Sequence, residues 1–271
     1  MRTVICHFFN EAYLLPWWLK HHLDLFDHGI LIDHGSTDGS ADIVRELAPH
    51  WALVRSRLPR FDAYLTDFEV MQYEQGIPGW KVALNVTEFL MPSVPLDVIT
   101  HELTKMGRSG CAASGFLIID DQPTILPNPD RSLPAQKHWG IDDNIELTPE
   151  IRRDLGLPIF VERNRFFHSL EVGMYHPGRH QSFHPDSNFR LLDLMVFHFA
   201  YAPWNDDFIR RKTQIASKLK PEDIERQWGI QHLRKVDALQ VDYAKIRQSA
   251  VNLMSHAYAS RAISLAEAGF K

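Results

Sequence analysis

Three short polar segments in the first third of the chain contain most of the side chains that could bind or react with a ligand. They span residues 7–11, 33–40 and 85–88, and each follows a short apolar run. In open α/β sheets, ligands bind beyond the carboxyl ends of the strands. If the apolar runs are neighbouring strands, the three polar segments lie on one edge and form a single site.

The pattern of apolar residues predicts the elements that would position this site. Strands are predicted at 3–7, 29–33, 52–57, 80–84, 111–119 and 190–199, and helices at 11–25, 40–47, 61–75 and 96–106. Strands that alternate with helices at this spacing indicate βαβ units. We therefore predict an α/β fold with a mainly parallel, Rossmann-like sheet flanked by helices.

The second half has a weaker pattern. Residues 120–158 are rich in Pro, Asp and Asn without a sustained period, which predicts a long functional loop. Beyond residue 205 the chain is predicted to be helical. We expect one catalytic domain over 1–200 and a helical extension over 201–271 packed on the same domain.

Composition excludes several classes of protein. The chain has 271 residues, a net charge of −5 and only two cysteines, Cys6 and Cys111. These values argue against a disulfide scaffold and against general attraction to nucleic acid. No window approaches the roughly 20 apolar residues of a membrane span. We expect a cytoplasmic protein with no nucleic-acid partner and no transmembrane segment.

Four motifs, in order, resemble a known family. They are Phe9-Asn10-Glu11; Leu15-Pro16-Trp17-Trp18 with His21-His22; Ile32-Asp33 with Gly35-Ser36-Thr37-Asp38-Gly39-Ser40; and 79–90, GWKVALNVTEFL. Together they are similar to the opening of family 2-like glycosyltransferases of the GT-A fold, close to the family 92-like branch. The resemblance covers about residues 1–92 and implies binding of a nucleotide sugar.

The resemblance assigns roles to the matched positions. Phe9, Asn10 and Glu11 would flank the nucleotide, and Asp33 would accept hydrogen bonds from its base or ribose, with Asp38 close by. The alternative for both aspartates is structural, since Ser-Thr-Asp-Gly-Ser is also an ordinary turn and helix cap. One of His21 and His22 is expected to face the core.

The chain departs from the family at its metal-binding DxD motif. Where the family has two aspartates that hold a divalent cation, this chain has Asn85 and Thr87. Neutral oxygen donors are poor substitutes for carboxylates at a hard cation. Three interpretations remain open: weakened Mn²⁺ or Mg²⁺ binding through Glu88 and His198, metal-independent binding, or a binder without catalysis.

Histidines and arginines in the second half are candidates to balance a diphosphate. Arg163, Arg165 and Arg179 could clamp phosphates in a bidentate manner. We place Arg165, with Asn85, among the nucleotide-binding candidates. His176, His180 and His184 have helical spacing, but the prolines and glycines around them favour a loop over a zinc-binding helix.

An inverting transfer needs a base to deprotonate the acceptor hydroxyl. Asp120 and Asp121 follow a predicted strand and are the candidates, with Asp142 and Asp143 as rivals.

The leading hypothesis is a glycosyltransferase, hexosyltransferase-like, that moves a sugar from a nucleoside diphosphate sugar to a hydroxyl of a glycan or lipid-linked acceptor. The alternative is a sugar-nucleotide-binding module of the same fold without turnover. A metal-dependent hydrolase built on the histidines has the least support. The C-terminal helices would also suit an oligomer interface.

Overall fold

The computed structural model describes residues 1–142, 163–226, 233 and 235–270. Its centre is a sheet of ten strands within these residues. The strands are β1 Arg2–Phe8, β2 His28–Asp33, β3 Ala52–Arg55, β4 Trp80–Leu84, β5 Glu88–Pro92, β6 Gly110–Ile119, β7 Trp139–Asp142, β8 Arg165–His168, β9 Arg190–Tyr201 and β10 Val251–Asn252.

Helices flank this sheet, mostly between the strands that they connect. They are α1 Leu15–Leu23, α2 Ser40–Leu47, α3 Ala63–Glu74, α4 Leu96–Lys105, α5 Leu133–Gln136, α6 Asp206–Gln214, α7 Pro221–Glu225, α8 Val236–Ser249 and α9 Ala257–Ala268. Across the described residues, no helix combines the length and apolarity needed to cross a bilayer.

Parallel pairing is concentrated in the N-terminal half, where the order is β4-β1-β2-β3. The predicted α/β fold with a parallel sheet and flanking helices is confirmed. The second half continues the sheet as β10-β7-β6-β8, all antiparallel, and β8 joins β4. Strand β9 runs parallel to β6 and antiparallel to β5.

The sequence pattern is wrong over part of 120–158, where it predicts only a loop. Residues Leu133–Gln136 form α5 and Trp139–Asp142 form β7. Each element has four residues, too few to show a helical or strand period. Pairing with β6, rather than local pattern, determines β7. Residues 143–158 of the predicted loop lie outside the described residues.

Helix α1 fixes the position of β5 through polar groups as well as apolar packing. The indole Nε1 of Trp18 donates to the carbonyl of Glu88 at 2.9 Å. His21 Nε2 lies 2.8 Å from the Leu90 carbonyl, and Leu90 N–H donates to His22 Nε2 at 3.2 Å. Both histidines are therefore structural, one more than the sequence predicts.

The C-terminal helices pack on the same sheet. Ala259, Ala262 and Ile263 of α9 join the main apolar core, and Tyr243 and Ile246 of α8 join a second cluster with Leu117 and Ile119 of β6. The predicted boundary at residue 200 stays a prediction. Strand β9 extends one residue past it, to Tyr201.

Stability should depend on pH through these buried histidines. Burial lowers the pKa of His21 to about 4. The unfolded chain binds a proton near pH 6.5 and the folded chain does not, so stability is complete above that pH and falls as the pH drops towards 4. Between pH 7 and 5 we expect His21 to cost about 2 kcal/mol of unfolding free energy.

Urea denaturation of the wild type and His21→Gln at both pH values checks this. Glutamine can still donate to the Leu90 carbonyl but does not titrate, so the variant should lose less stability on acidification. Equal losses in the two proteins would contradict the assignment.

Candidate functional site

The three predicted polar segments meet at one edge of the sheet, as the sequence predicts. Strand β1 lies between β2 and β4, with Phe8 in register with Asp33 and Cys6 with Leu84. The strands are parallel, so their carboxyl ends reach the same edge. The segments that follow β1, β2 and β4 therefore form one continuous polar surface.

The loops after β1 and β2 hold each other through the predicted nucleotide-binding residues. Asn10 N–H donates to Ser36 Oγ at 2.9 Å, and Thr37 N–H donates to Asn10 Oδ1 at 2.7 Å. Asp38 accepts from the N–H of Ala12 at 3.0 Å. Asn10 has φ +51°, which these bonds stabilise. Asn10 and Asp38 thus have structural roles, and their contact with a nucleotide stays a prediction.

Asp33 has the turn role that the sequence leaves as an alternative. Its Oδ1 accepts from Ser36 N–H at 2.8 Å, and its side chain is half-buried. Phe9 lies beside it at the end of β1, where its carbonyl and that of Asn10 accept from Gln214 Nε2 at 3.3 and 3.0 Å. Helix α6 is thereby anchored over the loop that the resemblance assigns to the nucleotide.

A buried ion pair occupies the end of β4. Glu88 accepts from Arg165 Nε at 2.7 Å and also from Arg165 Nη2, in a bidentate pair. Asn85 adds two bonds to the same carboxylate, from its N–H at 2.8 Å and from Nδ2 at 3.3 Å. Glu88 is 2% exposed and Arg165 1%. The carboxylate is saturated by donors.

A second guanidinium joins this network from a distant loop. Arg179 donates from Nη1 to Asp67 of α3 and from Nη2 to Asn85 Oδ1 at 2.6 Å. Gly178 N–H donates to Asp67 as well, at 2.6 Å. Arg179 is 5% exposed. The network therefore links α3, the end of β4, β8 and the loop after β8.

As arranged, the predicted metal ligands do not fit a divalent cation. Glu88 has no lone pair free, because both its oxygens accept from Arg165 and Asn85. His198 lies opposite Glu88 in the β5–β9 register. Among the described residues, no three His, Cys, Asp or Glu side chains are grouped to hold a metal. Metal binding at Glu88 and His198 stays a prediction that these contacts do not support.

Of the three loop histidines, only His180 reaches the site. Its Nδ1 lies 3.1 Å from Arg165 Nη1. The ring of His176 instead stacks on Phe183 with centroids 3.8 Å apart, and His184 caps the 3₁₀ turn Pro185–Asn188. The chain forms a loop here, as expected, rather than a zinc-binding helix.

The surroundings of β9 and α6 are positively charged. Burial, then the charges of Arg165 and Arg163, lower the pKa of His180 well below its usual value. His198 has a pKa lowered by burial, Arg163 and Lys212 in that order. Burial and then Arg211 lower the pKa of Lys212 to about 7. Burial is the largest cause in all three groups, and the neighbouring cations add to it, so several positive charges lie in this region that an anionic ligand would complement.

A cleft of about 420 Å³ opens beside this edge. Its lining residues come from the β1–α1 loop, the β2–α2 loop and α6: Asn10, Tyr13, Asp38, Asp207, Arg210, Arg211 and Gln214. Arg211 Nη1 lies 3.3 Å from Glu11 Oε1, and both side chains are buried. Within the described ranges, Glu11 Oε2 and Arg211 Nε have no hydrogen-bond partner. Burial raises the pKa of Glu11, and Arg211 opposes that rise.

The predicted base Asp120 is held in a structural ion pair. It is 1% exposed and accepts from Lys137 Nζ at 2.6 Å, Gln122 N–H at 3.0 Å and Trp204 N–H at 2.9 Å. Neighbouring Asp121 is half-buried, and no hydrogen bond of its carboxylate occurs within the described part of the chain. A catalytic role for either residue stays a prediction.

The rival candidates are separated from this position. Asp142 is buried in β7, in register with Phe116 of β6. Asp143 lies outside the described residues.

Several site residues are missed by the sequence pattern. Asp67 and Glu69 are buried acids on α3, a helix with no marked apolar face, so nothing in the spacing points to them. Arg211 belongs to the densest basic group of the sequence, 210–212, and this was the one available signal. His7 at the end of β1 lies 3.7 Å from Glu69.

No family matches the sequence, and no curated protein matches it. The structure of S. aureus TarS is similar over 86% of this chain and 42% of its own, with 10% identity and a TM-score of 0.35. The structure of S. aureus TarS 1–349 is similar over 94% of this chain and 72% of its own length, with 11% identity and a TM-score of 0.36.

This chain thus spans less than half the length of the first of these two structures. Similarity of this extent assigns no activity to the chain.

The Asp120–Lys137 pair gives a prediction about stability. Asp120→Asn leaves the ammonium of Lys137 buried without its counter-charge, which we expect to cost about 3–5 kcal/mol of unfolding free energy. Asp121→Asn, one residue away, should stay within about 0.5 kcal/mol of the wild type.

Denaturant unfolding of both variants measures the difference, and Asp120→Asn/Lys137→Met should be less destabilised than Asp120→Asn alone. Similar stabilities of Asp120→Asn and Asp121→Asn would show that the pair is unimportant.

Proposed function

We propose that this protein is a glycosyltransferase that uses a nucleoside diphosphate sugar and transfers the sugar to a hydroxyl of a glycan or lipid-linked acceptor. One observation supports this most strongly. Three buried guanidinium groups, those of Arg165, Arg179 and Arg211, lie at the carboxyl edge of β1 and β4. Guanidinium groups bind phosphate oxygens through paired, charge-assisted hydrogen bonds.

The cleft beside these groups has the size and chemistry that a nucleotide needs. Its volume of about 420 Å³ falls within the range of about 300–1,000 Å³ typical of small-molecule sites. Asp38 supplies a carboxylate and Tyr13 an aromatic ring, which suit ribose hydroxyls and a base. Arg211 lines the inner wall next to the unpartnered Oε2 of Glu11.

The proposed reaction is a displacement at the anomeric carbon of the donor sugar. A carboxylate accepts the proton of the acceptor hydroxyl, the acceptor oxygen forms the new bond to the anomeric carbon, and the bond to the diphosphate breaks with its electron pair. The positive groups stabilise the charge that develops on the leaving diphosphate. Asp121 is the better candidate base, because Asp120 is committed to Lys137.

A second function, a sugar-nucleotide-binding module without turnover, is favoured by a different observation. Two carboxylates expected to do chemistry, Glu88 and Asp120, are each saturated by buried cations. Such a module would bind the nucleotide as tightly as an enzyme would, but it would release no product when an acceptor is added.

Nucleotide binding is the first test. We expect UDP, GDP or CDP, or a sugar conjugate of one of them, to raise the melting temperature, with a stabilisation of about 2.7 kcal/mol at a hundredfold excess over Kd. Arg211→Gln should weaken the effect by removing a cation from the cleft. Arg45→Gln is the matched control, since Arg45 is exposed and pairs with Asp42 on the same helix, α2.

Differential scanning fluorimetry and calorimetry give the binding result, and sugar transfer to a hydroxyl acceptor separates the enzyme from the module. Binding with transfer supports the transferase, and binding without it supports the module. If none of the nucleotides or sugars shifts the melting temperature, both proposals fail.

A further inference from the structure

The acceptors around Arg165 resemble the ligand shell of a metal ion. Its guanidinium donates to both oxygens of Glu88, to the carbonyl of Gly178 at 2.8 Å and to Nδ1 of His180 at 3.1 Å. Carboxylate, backbone carbonyl and imidazole are the groups that bind divalent cations in proteins. Here they surround a cation that the chain itself supplies.

We infer that Arg165 takes the place of a divalent cation at the end of β4 and that Arg179 offers its unused N–H donors to the donor diphosphate, so that nucleotide binding needs no metal. This inference rests on the proposed function, because it names how the same site holds its ligand. It also accounts for Asn85 and Thr87, which stand where the glycosyltransferases that the sequence resembles have two aspartates.

Charge balance accounts for Asn85 and Thr87. Two aspartates neutralise one divalent cation, and Glu88 and Asp67 likewise neutralise Arg165 and Arg179. A third carboxylate at position 85 would face Glu88, to which Asn85 now donates from Nδ2. The asparagine amide can donate to Glu88 and accept from Arg179, which an aspartate cannot do.

Thr87 takes part in this region through its backbone carbonyl, a contact that does not depend on its side chain. Its carbonyl accepts from Phe199 N–H at 2.8 Å and joins the start of β5 to β9. A neutral side chain at position 87 therefore adds no charge beside the balanced pairs.

The backbone of Arg179 adopts an energetically unfavourable conformation. It has φ +60° and follows Gly178 at φ +91°. A non-glycine residue in the left-handed region is uncommon and persists where its surroundings enforce it. Asp67 and Asn85 hold its two terminal nitrogens, while its buried Nε has no acceptor among the residues that the structure describes. An unsatisfied guanidinium donor matches a phosphate oxygen.

The ends of β1 and β4 bring Arg179 and the cleft to one edge of the sheet. Arg179 donates to Asn85, which follows Leu84 of β4, and Leu84 is in register with Cys6 of β1. Glu11, which follows β1, is paired with Arg211, and Arg211 lines the cleft. Arg179 and the cleft therefore lie at the carboxyl ends of two neighbouring parallel strands.

Calorimetry with UDP, GDP and CDP, in excess EDTA and again with Mn²⁺, tests the inference on the wild-type chain. We expect one nucleotide to bind in both conditions with dissociation constants that agree within about a factor of three. Mn²⁺ titrated alone should show no saturable binding.

Binding that requires Mn²⁺ would overturn the inference and leave the proposed function intact. Absence of binding in both conditions would instead remove the proposed function, and the inference with it.

Variants of Arg179 locate the effect. Arg179→Gln should weaken nucleotide binding in EDTA by about tenfold or more, and Arg179→Lys by less, because lysine keeps the charge but loses the forked donors. Arg45→Gln should bind like the wild type. Circular dichroism and melting temperature report on folding. A folded Arg179→Gln with unchanged affinity would show that Arg179 only holds its loop in place.

Discussion

The buried pair between Glu88 and Arg165 is the interaction on which the site depends. It joins the start of β5 to the start of β8, which are not neighbours in the sheet. Removing one partner from a buried pair costs about 3–5 kcal/mol, because the other charge stays behind in an apolar environment. The fold must therefore supply both partners, and the rest of the site is arranged around them.

Each partner is held by structure that has nothing to do with ligand binding. Glu88 is placed by α1, since Trp18 bonds its carbonyl and the two histidines bond Leu90. Arg165 begins β8, which lies between β4 and β6 and pairs with both. Because the supports are rigid helix and strand, the guanidinium is fixed before any ligand arrives. Such preorganisation is what electrostatic binding and catalysis require.

The N-terminal half of this arrangement follows from the sequence. Apolar runs that end in polar segments predict β1, β2 and β4, and parallel pairing then brings their ends together. The loop after β2 also forms the turn that its sequence allows, with Asp33 and Asp38 accepting hydrogen bonds from backbone N–H groups. Local chemistry is sufficient for the loops after β1 and β2, because their bonded partners lie within about thirty residues of each other along the chain.

The rest of the site could not be predicted, for a physical reason. Arg179 meets Asp67 across 112 positions in sequence, and Arg211 meets Glu11 across 200. Nothing local distinguishes these arginines from solvent-exposed ones. Strand β8 has four residues and is defined by its partners rather than by a period. The sequence names both Arg165 and Arg179 as phosphate-clamp candidates, and that role stays a prediction. The pairing of Arg165 with Glu88 appears only when β5 and β8 are in place.

The central claim is that Arg165 takes the place of a metal ion and that Arg179 beside it binds the diphosphate. A crystal structure of the chain grown with a nucleoside diphosphate and Mn²⁺, with data collected at the manganese absorption edge, tests it most directly. The account predicts phosphate oxygens within hydrogen-bond distance of Arg179 and no anomalous peak at the end of β4. An anomalous peak between Glu88 and His198, with Arg165 displaced from the carboxylate, would contradict it.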